Sequence, residues 1–182
     1  CIRDRFSTLL DRAREWARQS EVNQELAGVE IPVGVHVGGG VRIGGYMDRL
    51  LRDEEGNYLV VDLKTGRSTP AKKEGEDHVQ LMTYQLALAH GAFDGHQVHD
   101  GEGMPRKGGV LVYPGVTTKK IGEIWQSDKS PEALEDFAAL LPPLVEEMRG
   151  PRITARTNKD CDKCPIRSIC PVQEEGRMTT DA

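Results

Sequence analysis

The sequence contains little cysteine, with only four such residues in a chain of 182. Small secreted domains that depend on disulfides are far denser in cysteine, so that class of protein is excluded. No apolar run approaches the ~20 residues that a membrane helix requires, and no signal peptide is evident. We therefore expect a soluble, cytoplasmic protein.

Basic residues are not in excess either. The chain has 24 Lys and Arg against 29 Asp and Glu, which gives a formal net charge of −5 at pH 7. Proteins that coat nucleic acid through charge alone are strongly basic, and this composition argues against them. A chain of this length buries roughly 70% of its unfolded surface, which is enough for one core. Any contact with phosphate must then come from local basic patches.

The most informative residues lie in two segments that are typical of adjacent strands. The first segment is Gly45–Arg49 and the second is Val60–Gly66. Side chains alternate between the two faces of a strand, so Asp62 and Lys64 project to the same side. The residues between the segments, Asp53–Asn57, favour a turn that pairs the strands antiparallel. We expect this hairpin to bring Asp48 beside Asp62.

This arrangement predicts a metal-dependent phosphodiesterase. Mg²⁺ and Mn²⁺ prefer hard oxygen ligands and retain several waters, so Asp48, Asp62 and the backbone carbonyl of Leu63 form a suitable open site. Lys64 is placed to orient the attacking water or to stabilise the developing charge. The alternative is a pair of surface acids with a solvated lysine, because exposed ion pairs are common and contribute only ~0–1 kcal/mol.

A helix is predicted from about Glu76 to Ala89. Four apolar side chains recur there at helical spacing and are expected to face the core: Val79, Met82, Leu86 and Ala89. Gln80 and Tyr84 lie four residues apart on a neighbouring stripe. One helix would thus direct both polar side chains at the acidic site. The alternative is an exposed amide and a phenol at the edge of the core.

Together these segments resemble the RecB-like branch of the PD-(D/E)XK nuclease superfamily. The family pattern runs Gly-x-x-Asp-Arg, then Asp-x-Lys-Thr-Gly, then a helix with Gln-x-x-x-Tyr; it is matched in order by Asp48, Asp62, Lys64, Gln80 and Tyr84. The resemblance implies an α/β, restriction-endonuclease-like core, with a central mixed sheet flanked by helices. It also implies cleavage of DNA with Mg²⁺ or Mn²⁺.

The resemblance further implies a role for each matched residue. The aspartates would bind the metal, the lysine would act at the attacking water, and the glutamine and tyrosine would support the site and the DNA. Glu30 is a further candidate metal ligand, because the RecB-like pattern often carries an acid just before this strand. Lys72 and Lys73 follow the catalytic strand and are the candidate DNA contacts. We expect an exonuclease of DNA repair, recombination or processing that acts on single-stranded DNA or a free end, with a helicase subunit or domain as a candidate partner.

The cysteines provide a second signal. Cys161, Cys164 and Cys170 have the spacing Cys-x2-Cys-x5-Cys, and Cys1 is the fourth. Four thiolates suit Zn²⁺ or an iron–sulfur cluster, and the spacing does not decide between them. The AddAB-type helicase-nucleases and the CRISPR-associated RecB-like exonucleases look similar, with one cysteine before the core and three after it. That resemblance implies a structural four-iron four-sulfur (4Fe-4S) cluster.

The remaining sequence gives the frame of this domain. Helical periodicity is present near the start of the chain and again from Ser130 to about Arg149, and strands are expected at 29–37, 109–113 and 121–125. Gly38–Gly40 is interpreted as a hairpin connection. Gly150–Pro151 marks a transition, so we expect a nuclease core at residues 1–150 and a cysteine-rich tail at 151–182 that closes the iron–sulfur site with Cys1.

The chain departs from the family pattern in one respect. RecB-like nucleases usually place a metal-binding histidine on a helix between the first cysteine and the Glu30 region. Here the first histidine is His36, which falls on a predicted strand. Either that segment is missing or another residue replaces it. This departure favours a second hypothesis from a different class, a DNA-binding or assembly module with an impaired nuclease site.

Overall fold

The computed structural model describes residues 2–91, 103–151 and 154–177. Within them the helices are α1 (Ile2–Ser20), α2 (Val79–Ala89), α3 (Pro131–Arg149) and α4 (Glu174–Arg177). The strands are β1 (Gln24–His36), β2 (Arg42–Asp53), β3 (Tyr58–Leu63), β4 (Arg106–Tyr113) and β5 (Gly122–Gln126). The chain divides into two compact units, Cys1–Pro142 and Pro143–Ala182. The predicted boundary between core and tail at residues 150 and 151 remains a prediction.

The first unit contains a five-stranded sheet in the order β1-β2-β3-β4-β5. Neighbouring strands are antiparallel except β3 and β4, which are parallel. A parallel pair requires a crossover, and α2 lies in the connection between β3 and β4. The predicted α/β architecture, a mixed sheet flanked by helices, is therefore confirmed.

Each face of the sheet contributes to its own apolar core. On one face Val60 and Leu111 pack with Leu81 and Leu88 of α2. On the other face Trp16 of α1 joins a cluster with Leu51, Leu59, Val61, Val110 and Val112. The alternation expected along β3 is thus observed, because Val60 faces α2 while its neighbours belong to the opposite cluster. Asp62 lies two residues after Val60 and is therefore directed to the α2 side.

Two tight turns set the register of the hairpins. Gly38, Gly39 and Gly40 all have positive φ, and the amide of Val41 donates to the carbonyl of Gly38 at 2.9 Å, which confirms the predicted connection between β1 and β2. Between β2 and β3, the carboxylate of Asp53 accepts from the amide of Asn57 at 2.8 Å. These turns fix which residues of β2 and β3 lie opposite each other.

The predicted core face of α2 is wrong in part. Val79 is 65% exposed, whereas the buried positions are Leu81, Gln85, Leu86, Ala87 and Leu88. The helix also begins at Val79 and not at Glu76. Periodicity assigns the buried face of α2 from its apolar residues alone. It therefore missed Gln85, a polar residue that belongs to that face. The actual stripe leaves Gln80 and Tyr84 near the end of the central strand β3, where Gln80 contacts Asp62.

The second unit is built from short elements. After the end of α3 come two 3₁₀ turns, Cys161–Lys163 and Arg167–Ile169, and then α4. Arg167 joins them through ion pairs to Asp162 at 2.6 Å and Glu175 at 3.2 Å.

In the part of the chain that the structure describes, no helix is long and apolar enough to cross a bilayer.

Candidate active site

The candidate site lies where β2 and β3 diverge. Arg49 of β2 pairs with Val61 of β3, so Asp48 and Asp62 are the next residues along the two antiparallel strands. Asp48 does not continue the ladder with its backbone. Its Oδ2 atom accepts a hydrogen bond from the backbone amide of Leu63 at 2.8 Å. The hairpin therefore brings the two aspartates together, as the turn chemistry predicted.

Gln80 connects the predicted site residues. Its amide oxygen accepts from Lys64 Nζ at 2.6 Å, and its amide nitrogen donates to Asp62 Oδ1 at 2.6 Å. The same nitrogen lies 2.9 Å from the hydroxyl of Tyr84. That hydroxyl donates to the backbone carbonyl of Tyr46 on β2 at 2.8 Å. One amide thus joins β3 to α2, and Tyr84 joins α2 to β2.

Asp62 is the buried charge of the cluster. Its side chain is 3% exposed, and its Oδ2 atom lies 2.7 Å from Lys64 Nζ. Lys64 is the ion-pair partner of this oxygen, and no other donor to the buried Oδ2 atom is found among the described residues. Burial raises the pKa of Asp62, and the neighbouring Lys64 opposes that shift without cancelling it. The carboxylate is therefore under-compensated by the protein alone.

The donor set fits a hard divalent cation. Asp62 has a buried oxygen whose charge is met by Lys64 alone among the described residues, and Asp48 lies on the adjacent strand. Both offer the carboxylate oxygens that Mg²⁺ and Mn²⁺ prefer. Across residues 2–91, 103–151 and 154–177, no group of three or more His, Cys, Asp or Glu side chains is arranged to hold a metal ion. Such a site would rely on two carboxylates, backbone oxygen and water.

Glu30, the further candidate metal ligand, lies on the strand paired with β2. Glu30 is exposed on β1 with a φ of 48°, between the pairs Val29–Arg49 and Ile31–Met47. It thus lies opposite Asp48 in register, but among the described residues no hydrogen bond or ion pair links it to either aspartate. A left-handed φ is uncommon for a residue other than glycine and interrupts the alternation of side chains.

The two predicted DNA contacts, Lys72 and Lys73, line different clefts. Lys72 and Lys73 occupy a 3₁₀ turn, Lys72–Glu74, and are exposed. Lys73 lines a cleft that Gln80 also lines, whereas Lys72 lines a different cleft beside β5. Of the two lysines, Lys73 is therefore the one that shares a cleft with Gln80.

His78 is a site neighbour that the sequence did not reveal. It precedes α2 and lines the same cleft as Lys73 and Gln80. Burial and the charge of Lys64 lower the pKa of His78, which favours its neutral imidazole. Its Nδ1 atom is buried without a hydrogen-bond partner in the described part of the chain. The only available signal was its position two residues before Gln80.

Three of the four cysteines lie in the second unit. Cys161, Cys164 and Cys170 are half-buried free thiols, and Cys1 lies outside the described residues. The backbone amide of Asn158 donates to Cys161 Sγ at 3.2 Å. Backbone N–H groups directed at sulfur are a common feature of thiolate ligands to metals. That the four cysteines together bind one metal centre stays a prediction.

One protein family matches nearly the whole chain. Residues 2–171 match the family described as "PD-(D/E)XK nuclease superfamily". Solved structures that match include one described as "Crystal structure of SSO0001", with 22% identity, a TM-score of 0.45, and coverage of 92% of this chain and 70% of that chain. Curated protein sequences give no match. Because the family match spans nearly the whole chain and the fold is the one expected, this protein belongs to the PD-(D/E)XK nuclease superfamily.

Proposed function

We propose that this protein is a Mg²⁺- or Mn²⁺-dependent DNA exonuclease. The observation that carries the proposal is the Gln80 amide, which holds Lys64 and Asp62 in one cluster through two 2.6 Å hydrogen bonds. A lysine in contact with a buried carboxylate, at the edge where two strands diverge, provides both charges that phosphodiester hydrolysis needs. Family membership supports a nuclease, and the resemblance to RecB-like enzymes supports action at DNA ends.

Each residue of the cluster has a separate task in this proposal. Asp48, Asp62 and the carbonyl of Leu63 would hold the metal, which when bound supplies the Lewis acid that polarises the phosphate and acidifies water. Lys64 orients the attacking water and stabilises negative charge on the phosphate. Gln80 keeps the lysine and the aspartate in register by accepting from one and donating to the other.

Four other predicted residues have supporting tasks. Tyr84 fixes the position of α2 against β2 through its bond to the carbonyl of Tyr46. Lys73 is proposed as a DNA phosphate contact, because it lines the cleft next to Gln80, and Lys72 would act farther out. Glu30 would join the metal site through water, since it lies opposite Asp48 in register.

Removal of either charge tests the catalytic assignment. Asp62→Asn and Lys64→Met should each abolish cleavage of linear DNA in gel assays with Mg²⁺ or Mn²⁺, while the purified variants keep a cooperative melting transition. Lys107→Met is a matched control, because Lys107 pairs with Asp53 at the opposite end of β3. Undiminished activity in a folded variant at position 62 or 64 would remove that residue from the mechanism.

The exonuclease assignment needs a separate test. Linear and covalently closed circular single-stranded DNA of the same sequence should be compared with the wild-type protein. We expect degradation of the linear form and survival of the circle. Equal cleavage of both forms would show an endonuclease and contradict this part of the proposal.

One observation favours the rival hypothesis of a DNA-binding or assembly module with an impaired site. The described residues include no group of three or more acidic, histidine or cysteine side chains arranged for a metal. An impaired module would bind DNA and never cleave it, whatever the divalent metal. Calorimetric titration with Mn²⁺, compared between wild type and Asp62→Asn, separates the hypotheses: Mn²⁺ should bind the wild-type protein more tightly.

An iron–sulfur cluster completes the proposal, with Zn²⁺ as the alternative metal. Cys1, Cys161, Cys164 and Cys170 would be its ligands. The amide–sulfur contact at Cys161 and the free, half-buried state of the three described thiols support thiolate ligation. Four thiolates close the coordination sphere, so the cluster would be structural. A helicase subunit or domain is the proposed partner, on the basis of the RecB-like resemblance alone.

A further inference from the structure

A groove rich in arginine begins one residue beyond the catalytic lysine. It has a volume of about 440 Å³ and includes three arginines and three threonines: Arg5, Arg12, Arg67, Thr8, Thr65 and Thr117. No acidic residue lines it. Thr65 directly follows Lys64 in the chain, so the groove and the candidate active site share the segment that leaves the end of β3.

Three elements of the first unit form this groove. Arg5, Thr8 and Arg12 are spaced at three and four residues, which places them on one face of α1. Thr65 and Arg67 come from the segment after β3, and Thr117 comes from the segment after β4. These two strands are parallel, and ligands of open α/β sheets are commonly bound beyond the carboxyl ends of parallel strands.

A glycine permits the close approach of the two segments. A Cβ atom at Gly115 would lie 2.9 Å from the carbonyl oxygen of Gly66 and 3.0 Å from that of Thr65. A side chain there would push the segment after β4 away from the segment after β3. Close backbone packing therefore forms the floor of the groove, between the segments after β3 and β4.

The charges of the groove are not neutralised within it. Arg12 donates to the backbone carbonyls of Val116 and Thr118, the latter at 3.0 Å, which fixes its guanidinium without cancelling its charge. Arg5 and Arg67 are exposed. Within residues 2–91, 103–151 and 154–177, none of the three forms an ion pair with a carboxylate. In a protein with a net charge of −5, such a concentration of unpaired guanidinium groups requires an explanation.

We propose that this groove binds the phosphate backbone of the DNA strand next to the scissile phosphate. Guanidinium groups bind phosphate oxygens in a bidentate manner, and threonine hydroxyls are frequent additional donors to the DNA backbone. Because the rest of the protein is acidic, the groove would also direct the strand to the site. This proposal deepens the proposed nuclease function and rests on it for the identity of the ligand.

Binding of a fluorescent oligothymidylate, followed by anisotropy in EDTA, tests the groove without cleavage. Arg5→Gln/Arg67→Gln should weaken binding about tenfold at low salt and make the dependence of log K on log salt shallower by about 1.4, since each single-strand phosphate contact contributes roughly 0.7. The control is Arg14→Gln/Arg18→Gln on α1, whose arginines pair with Asp11 and Glu15. It should retain wild-type affinity and slope.

Competition identifies the source of the phosphate. Unlabelled oligothymidylate should displace the probe at far lower concentration than thymidine monophosphate or inorganic phosphate. Displacement by inorganic phosphate at an equal phosphate concentration would overturn the assignment to a DNA strand. Wild-type affinity and slope in the folded Arg5→Gln/Arg67→Gln variant would overturn the groove itself.

These outcomes are separate from those of the proposed function. A protein that binds oligothymidylate through the groove but never cleaves DNA would contradict the nuclease proposal and support the groove. A protein that cleaves DNA while the two groove arginines make no difference to binding would do the reverse.

Discussion

At the scale of single residues, the site depends on one correctly oriented amide. Gln80 presents its oxygen to an ammonium group and its nitrogen to a carboxylate, so each end meets the charge that it stabilises. The sequence was sufficient to place Asp62, Lys64, Gln80 and Tyr84 in one space, because strand alternation and helical spacing have fixed geometry. It could not reveal His78, since the burial of its Nδ1 atom depends on tertiary packing.

Tyr84→Phe should impair cleavage more than stability. The substitution keeps the ring in the α2 core but removes the hydroxyl that contacts Gln80 and the carbonyl of Tyr46. We expect a loss of about 1 kcal/mol in the free energy of unfolding, typical of one hydrogen bond, and a reduction of kcat of at least about tenfold. Urea unfolding and gel cleavage assays measure the two effects. A variant that unfolds much more easily yet cleaves normally would make Tyr84 a purely structural residue.

Asp62→Asn should stabilise the metal-free protein near neutral pH. Burial raises the pKa of Asp62 above its unfolded value, so its contribution to stability is full at low pH and is lost as pH rises through the folded pKa. The melting temperature of Asp62→Asn should therefore exceed that of wild type in EDTA at pH 7.5, and the gap should shrink below about pH 4, where the unfolded carboxyl protonates.

Addition of Mn²⁺ should reverse this order at pH 7.5. A ligand that binds only the folded state raises its stability by mass action, and the wild-type carboxylate binds the cation better than an amide. Melting curves with and without Mn²⁺ measure the effect. If the amide variant were the less stable protein in EDTA at both pH values, burial would not dominate the energetics of Asp62.

At the scale of elements, a buried network of two glutamines positions the start of α2. The amide nitrogen of Gln126 on β5 donates to the carbonyls of Gly75, Glu76 and His78, each at 3.1 Å. Its oxygen accepts from Gln85 at 2.9 Å. These bonds anchor the turn at residues 75–78, and His78 at its end has an extended backbone (φ −71°, ψ 108°). The helix predicted from Glu76 therefore begins at Val79.

Sequence reasoning missed this network because both glutamines occupy core positions. Gln85 and Gln126 are 0% and 1% exposed. A pattern of apolar residues assigns burial only to apolar side chains, and the cost of a buried amide is offset here by partners distant in the chain. The available signal was that Gln126 shares one strand face with the buried Ile124.

Gln126→Leu should destabilise the protein and lower activity together. The change removes the donor for three carbonyls, so we expect a loss of about 2–4 kcal/mol in the free energy of unfolding. Residues 75–78 lead directly into the first turn of α2, which carries Gln80. The cleavage rate of the folded protein should therefore fall as well. Gln19→Leu is the control: Gln19 is an exposed glutamine bonded to Glu15, and its loss should matter by less than ~0.5 kcal/mol. Equal urea midpoints for the two variants would contradict this role.

At the scale of the whole molecule, the sequence predicted the class of fold but not the order of its strands. The two hairpins follow from local turn chemistry at Gly38–Gly40 and Asp53–Asn57. The parallel pairing of β3 with β4 does not, because it joins segments separated by α2 and is decided by packing on both faces of the sheet. That pairing places the segments after β3 and β4 side by side, and so creates the arginine groove.

The predicted cysteine site also concerns the whole molecule, because its four cysteines lie at both ends of the sequence. A closed site of four thiolates leaves no open position for substrate, so a cluster held by Cys1, Cys161, Cys164 and Cys170 would contribute stability and not catalysis. Metal binding that requires residues distant in sequence is coupled to folding, because the unfolded chain does not hold the ligands together. Loss of one ligand should therefore affect stability more than the chemistry of Asp62 and Lys64.

Anaerobic purification tests this expectation. The wild-type protein should be brown and contain iron and sulfide in equal amounts, and Cys164→Ser should lose the colour and melt at a lower temperature. Ser168→Ala is a control in the same segment that leaves all four thiols in place. Cys164→Ser should retain cleavage at temperatures where it is still folded, because the proposed cluster would be structural and not catalytic. A colourless wild-type protein that contains zinc would show that the site holds Zn²⁺ and not an iron–sulfur cluster. A metal-free wild-type protein with the same melting temperature as Cys164→Ser would exclude a structural metal site.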